Sequence, residues 1–174
     1  MFQSVINVSC ALVMVLVSAH ALAAGDSQAG QAKAATCVAC HGIDGNSAVP
    51  TFPKLAGLGH KYLLKQMQDI RDGRRPVALM AGQVDNMSDQ DLADIAAFYN
   101  EQSRTGGMAD PEKVALGRKV YLAGIAERQV PACSGCHSPT GNGNGPAGYP
   151  ALGGQHAEYI SAQLKMFRKG YEDP

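Results

Sequence analysis

The chain opens with an apolar run, Val5 to Val17, broken only at Asn7, Ser9 and Cys10, and then settles into shorter periodic patterns. From His60 to Asp72, Leu63, Leu64, Met67 and Ile70 recur at helical spacing, and Gly73, the nearby Arg71, Arg74 and Arg75, and Pro76 form a stop signal. A second helix is predicted after Ser88, a good N-cap. Asp89 and Asp91 suit its positive end, and Leu92, Ile95, Ala96 and Tyr99 make one apolar stripe. Asp26 caps an earlier helix running through Gln31 and Ala35. Asp110 and Pro111 open another, with Val114, Val120 and Tyr121 as core candidates. Between these lie a turn-rich loop at Gly42 to Ser47 and a linker, Gln102 to Ala109, containing Gly106 and Gly107. No β-rich run interrupts the helices, so the chain reads as all-α.

The early apolar run is followed by Ala21-Leu22-Ala23, a small-x-small cleavage signal, and residues 1–23 read as a secretory signal peptide. No Lys or Arg precedes the run, which leaves an uncleaved anchor as the alternative. The run is short for a span of about 20 residues. No other segment is apolar enough to cross a bilayer.

A second pattern overlies the first. Cys37-Val38-Ala39-Cys40-His41 recurs as Cys133-Ser134-Gly135-Cys136-His137. Two thiols about one helical turn apart can bond both vinyl groups of one porphyrin while the next residue's imidazole reaches its iron. Two such runs predict two covalently bound haem c groups on Cys37, Cys40, Cys133 and Cys136, with His41 and His137 on the irons. A zinc ribbon wants its Cys pairs about 15 to 20 residues apart, far closer than these. A thioredoxin-like site wants one pair beside a βαβ pattern, which neither run has. Cys10 falls in the signal segment, so every other cysteine belongs to an attachment run and no structural disulfide is expected.

The halves also match beyond the attachment runs. Phe52-Pro53-Lys54-Leu55-Ala56-Gly57 corresponds to Tyr149-Pro150-Ala151-Leu152-Gly153-Gly154 at an offset of 97 positions. The same offset pairs Tyr62 with Tyr159, Gln66 with Gln163, Ile70 with Phe167, Arg71 with Arg168 and Gly73 with Gly170. The second half is a copy of the first. The expected organisation is a signal peptide at 1–23, a haem domain at 24–105 and a second haem domain at 106–174.

Charge adds an exclusion. With 15 basic and 15 acidic residues, the chain offers no electrostatic basis for a nucleic-acid partner. Lys54, Lys61, Lys65, Arg71, Arg74 and Arg75 are scattered and read as a solvated surface rather than a steering patch.

These residues carry a family resemblance. The paired attachment runs, the F-P-K-L-A-G and Y-P-A-L-G-G-Q-H segments, Y-L-L-K-Q-M and S-D-Q-D-L-A-D-I-A-A-F-Y resemble the two-haem class I cytochromes c of the cytochrome c4 type. The resemblance implies two tandem all-helical class I cytochrome c domains, related by a pseudo-twofold axis with their haem propionate edges near each other. It implies a periplasmic electron carrier serving respiratory donor and acceptor proteins, soluble or loosely associated with the membrane surface. Each iron would be held by His on one side and Met on the other. The proximal imidazoles would donate to the carbonyls of Pro53 and Pro150.

Two methionines compete as distal ligand of the first haem. Met87 precedes the Ser88 cap and pairs with Leu92 as a hydrophobic staple. Met80 lies in an irregular segment without a periodic role and matches the family's ligand position, so it is preferred. Met67 sits on a helical stripe and reads as core. In the second half the offset puts the counterpart of Met80 at position 177, past Pro174, together with the counterpart of the Ser88 to Asn100 helix. The second domain is therefore expected to be incomplete at its C-terminus. Met166 is a weak substitute there, and His156 and His60 read as surface or supporting histidines.

A His/Met pair raises the potential of haem iron and leaves no open position, which suits one-electron transfer between respiratory complexes and a terminal oxidase or similar acceptor. No nucleophile, acid–base pair or phosphate loop stands near either attachment run, so the chain reads as a carrier rather than an enzyme. The alternative is a five-coordinate second haem that binds or reduces a small ligand such as peroxide or a diatomic gas.

Overall fold

The computed structural model describes residues 25–170, and the signal segment expected at 1–23 lies outside them. Within these residues the secondary structure is helical. The elements are α1 Ser27–Lys33, α2 Val38–His41, α3 His60–Arg71, α4 Asp89–Glu101, α5 Pro111–Ala123, α6 Ser134–His137 and α7 Ala157–Arg168. Two isolated antiparallel bridges, Ile125 with Val130 and Asn144 with Tyr149, are the β pairing among the described residues. No helix among them is long and apolar enough to cross a membrane.

Local chemistry places the helix starts where the sequence predicts them, while α1 stops at Lys33 and a 3₁₀ turn, Ala34–Thr36, leads on to Cys37. The Asp26 carboxylate accepts the N–H groups of Gln28 and Ala29, and α1 begins there. At α4 the Ser88 and Asp91 side chains each accept the other's backbone N–H, a complete capping box. Gly73 ends the turn after α3 at φ 74°, a left-handed conformation that glycine adopts without steric cost. In chain order α3 and α7 occupy equivalent places, since His60–Arg71 moved by the offset of the repeat lands on Ala157–Arg168.

The apolar stripe of α4 supplies the centre of the first unit. Tyr99, Leu92 and Ile95 are its largest fully enclosed side chains. Tyr99 and Ile95 join Ala34, Leu58 and Leu63 in one cluster, with Leu64, Met67 and Met87 packed against it. Helix α1 crosses α4 at Gly30, and Lys33 pairs with Asp91 at 2.7 Å and with Asp94. Helix α3 is tied to α4 by Arg71, whose guanidinium reaches Asp89 Oδ1 at 2.8 Å and the Met87 carbonyl at 3.2 Å.

The structure departs from two further expectations. Val114, a core candidate, is 48% exposed, because α5 rests mainly on α6 and, among the described residues, carries no counterpart of α4 across it. Tyr121 fares better, donating its hydroxyl hydrogen to the Ser138 carbonyl at 2.6 Å. The basic residues also fail as a uniformly solvated surface. Lys54 and Arg75 are buried and Lys61 reaches the Pro146 carbonyl at 3.3 Å. All three sit where the halves meet. Arg75 bonds Gln163 Oε1 at 2.6 Å and the Tyr159 hydroxyl at 3.2 Å. Lys54 Nζ bonds the carbonyl and hydroxyl of Thr105. A buried ammonium or guanidinium needs such partners, because leaving water without them is costly.

Candidate haem sites

Each C-x-x-C-H run folds as a short helical turn. His41 N–H bonds the Cys37 carbonyl at 2.9 Å, and His137 N–H bonds the Cys133 carbonyl at 2.9 Å. The turn brings both cysteines and the histidine of a run into one small volume. Cys37, Cys40, Cys133 and Cys136 are all free thiols.

The imidazoles are oriented by the same device in both units. His41 Nδ1 lies 2.9 Å from the Pro53 carbonyl oxygen, and His137 Nδ1 lies 2.8 Å from that of Pro150. A carbonyl accepts only, so Nδ1 carries the proton and Nε2 keeps its lone pair for a metal. An aromatic ring meets each imidazole edge to face. Phe52 stands 6.3 Å from His41 and Tyr149 stands 5.7 Å from His137, centroid to centroid. The loop returning to the ring is anchored identically. Gly45 O accepts from Leu55 N–H at 2.7 Å and Gly141 O from Leu152 N–H at 2.8 Å, both glycines at φ 75°.

Burial lowers the pKa of His41 and outweighs the opposing pull of its bond to Pro53. The ring is therefore neutral near pH 7, the form that can ligate a metal. Burial likewise raises the Cys37 thiol. Beside it the Tyr99 hydroxyl, enclosed and held well above the usual phenol range chiefly by burial, finds no hydrogen-bond partner. Gln66 Oε1 on α3 is also buried and unpartnered. Orphaned polar atoms of this kind are rare in folded chains. The Tyr99 hydroxyl, beside a free thiol of the run whose neutral imidazole presents Nε2, fits a large cofactor with an apolar body and polar substituents.

Met80 ends a short 3₁₀ turn, Ala78–Met80, half-buried and apart from the packed cluster. Met67 and Met87 both pack against that cluster. His60 is engaged with the Ala93 carbonyl at 3.3 Å. His156 Nε2 lies 3.0 Å from both the carbonyl and the hydroxyl oxygen of Ser47. Sequence reasoning missed the contributions of Ser47, Tyr99 and Gln155. For Gln155 a signal was present, since the repeat sets it against Leu58, a polar residue facing an apolar one in otherwise matched segments.

Two turns of this design, each with two thiols and one carbonyl-held imidazole, define a protein that carries haem covalently at two places. The family profile of cytochrome c matches residues 27–102 and 114–173, and the chain belongs to that family. It is 60% identical over 148 residues to cytochrome c4 of Pseudomonas aeruginosa, covering 85% of this chain and 74% of that protein. It is 54% identical over 168 residues to cytochrome c4 of Azotobacter vinelandii, covering 91% and 80%. The crystal structure of reduced recombinant cytochrome c4 from Pseudomonas stutzeri superposes with a TM-score of 0.84 at 51% identity, over 86% of this chain and 84% of that one. The organisation is that of the cytochrome c4 type, with two cytochrome c domains, two covalent haem c groups and an electron-transfer role.

Proposed function

We propose that the chain is a periplasmic carrier of single electrons, passing them between respiratory donor complexes and a terminal oxidase or similar acceptor, and that it catalyses no substrate chemistry of its own. Residues 1–23 direct export, 24–105 form the first haem domain and 106–174 belong to the second. Cys37 and Cys40 hold the first haem and Cys133 and Cys136 the second. His41 and His137 are the proximal ligands, and Met80 is the distal ligand of the first iron. The bound haem supplies the reversible one-electron couple. The chain orients both imidazoles through the Pro53 and Pro150 carbonyls and buries His41 away from water.

The observation that supports this most is the matched pair of imidazole bonds to Pro53 and Pro150. A proximal ligand fixed in tautomer and ring plane changes little between oxidation states, which keeps reorganisation small. The preference for Met80 draws on its place outside the core, where Met67 and Met87 have packing roles. An open second haem that binds peroxide or a gas has a weaker basis. Its motive concerns only the end of the sequence.

A spectroscopic redox titration of the exported protein tests the reading. Two one-electron steps with a low-spin first haem in both states are expected. A first haem that is high-spin, or that binds carbon monoxide readily once reduced, would contradict the assignment of Met80.

A further inference from the structure

The peptide group joining Pro53 to Lys54 is used at both ends. Its carbonyl oxygen accepts from His41 Nδ1 at 2.9 Å. Its N–H donates to Oε1 of Gln155, a residue of the second unit, also at 2.9 Å. Gln155 is itself held firmly. Its Nε2 donates to the Lys54 carbonyl at 2.9 Å, and its Oε1 takes a further bond from the His156 N–H at 3.0 Å. Next door, Ser47 Oγ donates to the Phe52 carbonyl. That makes the hydroxyl an acceptor toward His156, so His156 Nε2 carries the proton and donates to Ser47. The second unit thus grips the strip of the first that holds the proximal imidazole.

Hydrogen bonds in series through one amide reinforce each other, because a bond accepted from the N–H increases the negative charge on the carbonyl oxygen. A more negative Pro53 oxygen draws harder on the His41 Nδ1 proton and makes the imidazole a stronger donor to a metal at Nε2. Stronger donation favours the ferric state. We infer that Gln155 is a positioning residue of the second unit that lowers the reduction potential of the first haem through the Lys54–Pro53 peptide and His41.

The arrangement runs one way. The repeat places Leu58 opposite Gln155, and a leucine side chain has no atom to bond a peptide. At the corresponding peptide of the second unit, Ala151 is buried with the apolar cluster that includes Leu58 and Leu63. Two units built from one pattern would otherwise hold their haems alike. The Gln155 bond to the Lys54 N–H links the first proximal imidazole to the second unit by hydrogen bonds, a link that Leu58 cannot make to the Pro150–Ala151 peptide. The inference rests on His41 being the proximal ligand, as proposed above.

The test uses the two-haem protein. Gln155→Leu removes the bond to Lys54 N–H, and Gln163→Leu loosens the same boundary at Arg75 without touching that peptide. In Gln155→Leu the first haem is expected to shift about two- to threefold toward the reduced form, ~20 to 30 mV upward at 59 mV per decade. The His41 Nδ1–H proton resonance of the ferrous protein should move upfield, and the second haem should keep its potential. Gln163→Leu should leave the first haem and the His41 proton where they were. Equal shifts in both variants, or shifts of both haems together, would overturn the inference in favour of general loosening. An unshifted potential with His41 resonances still carrying haem shifts would overturn the role of Gln155 alone. His41 resonances free of any haem shift would overturn the ligand assignment and the inference with it.

Discussion

Gly30 of α1 lies so close to the Asp94 carbonyl of α4 that a methyl group at Gly30 would sit 1.9 Å from that oxygen. The Phe98 Cβ stands 3.0 Å from the same point, so the two helices cross with backbone against backbone. Gly30→Ala is therefore expected to force α1 off α4 and to cost about 3 kcal/mol or more, at the upper end for overpacking. Denaturant unfolding measures it. A loss under 0.5 kcal/mol, within the range of ordinary surface substitutions, would show that the helices can separate freely.

The same crossing gives a pH dependence. Burial works to raise the Asp94 pKa, but Lys33, the Asp26 N–H and Gln90 together hold it below the ordinary 3.8. A carboxyl depressed in the folded state stabilises above its unfolded value, and that contribution is lost as pH falls through the lowered one. Unfolding free energy should thus decline as pH drops below about 4, the unfolded carboxyl range. Asp94→Asn should be about 2 kcal/mol less stable at pH 7, and flatter across the acid range. Parallel pH profiles for the two proteins would exclude this carboxylate as the source.

Substitutions at Met80 and Met87 test the proposed distal ligand against a residue packed on the core. Met80→Ala should leave the first iron open to carbon monoxide and lower its potential by at least tenfold in the redox equilibrium, about 60 mV for one electron. Met87→Ala should leave spectrum and potential intact while costing about 1–2 kcal/mol for a partly buried side chain. Reversed outcomes would move the ligand to Met87.

Asn46 ties the connecting segment to the first attachment loop. Its Oδ1 accepts from Thr105 N–H at 2.8 Å and its Nδ2 donates to the Ser103 carbonyl at 3.0 Å. Asn46→Ala is expected to cost about 1–3 kcal/mol and to speed exchange of the Thr105 amide at least tenfold. Exchange already unprotected in the parent would mean that the segment is a free tether.

How legible these features are depends on the range over which each is set. Helix ends follow from neighbours a few residues apart, so Asp26, Ser88 and Gly73 mark boundaries that the structure repeats. The attachment turns are equally local, and the internal repeat extends them to the proline carbonyls. Long-range contacts leave weaker marks. Gln102 to Ala109 has the composition of a linker, yet Arg104 bonds carbonyls of both units and Thr105 bonds Lys54 and Asn46 of the first. Lys54 and Arg75 look like surface charges because nothing in their neighbourhood announces the partner unit. Val114 looks like core because it is an apolar residue in the second turn of a helix, while burial depends on what lies across it.

Whole-protein mass spectrometry of the exported chain, with and without its attachment cysteines, tests the central claim most directly. The parent should exceed its polypeptide mass by two haem groups, Cys37→Ala/Cys40→Ala and Cys133→Ala/Cys136→Ala should each exceed theirs by one, and all three should contain iron. A parent carrying no added mass, or zinc in place of iron, would contradict the account.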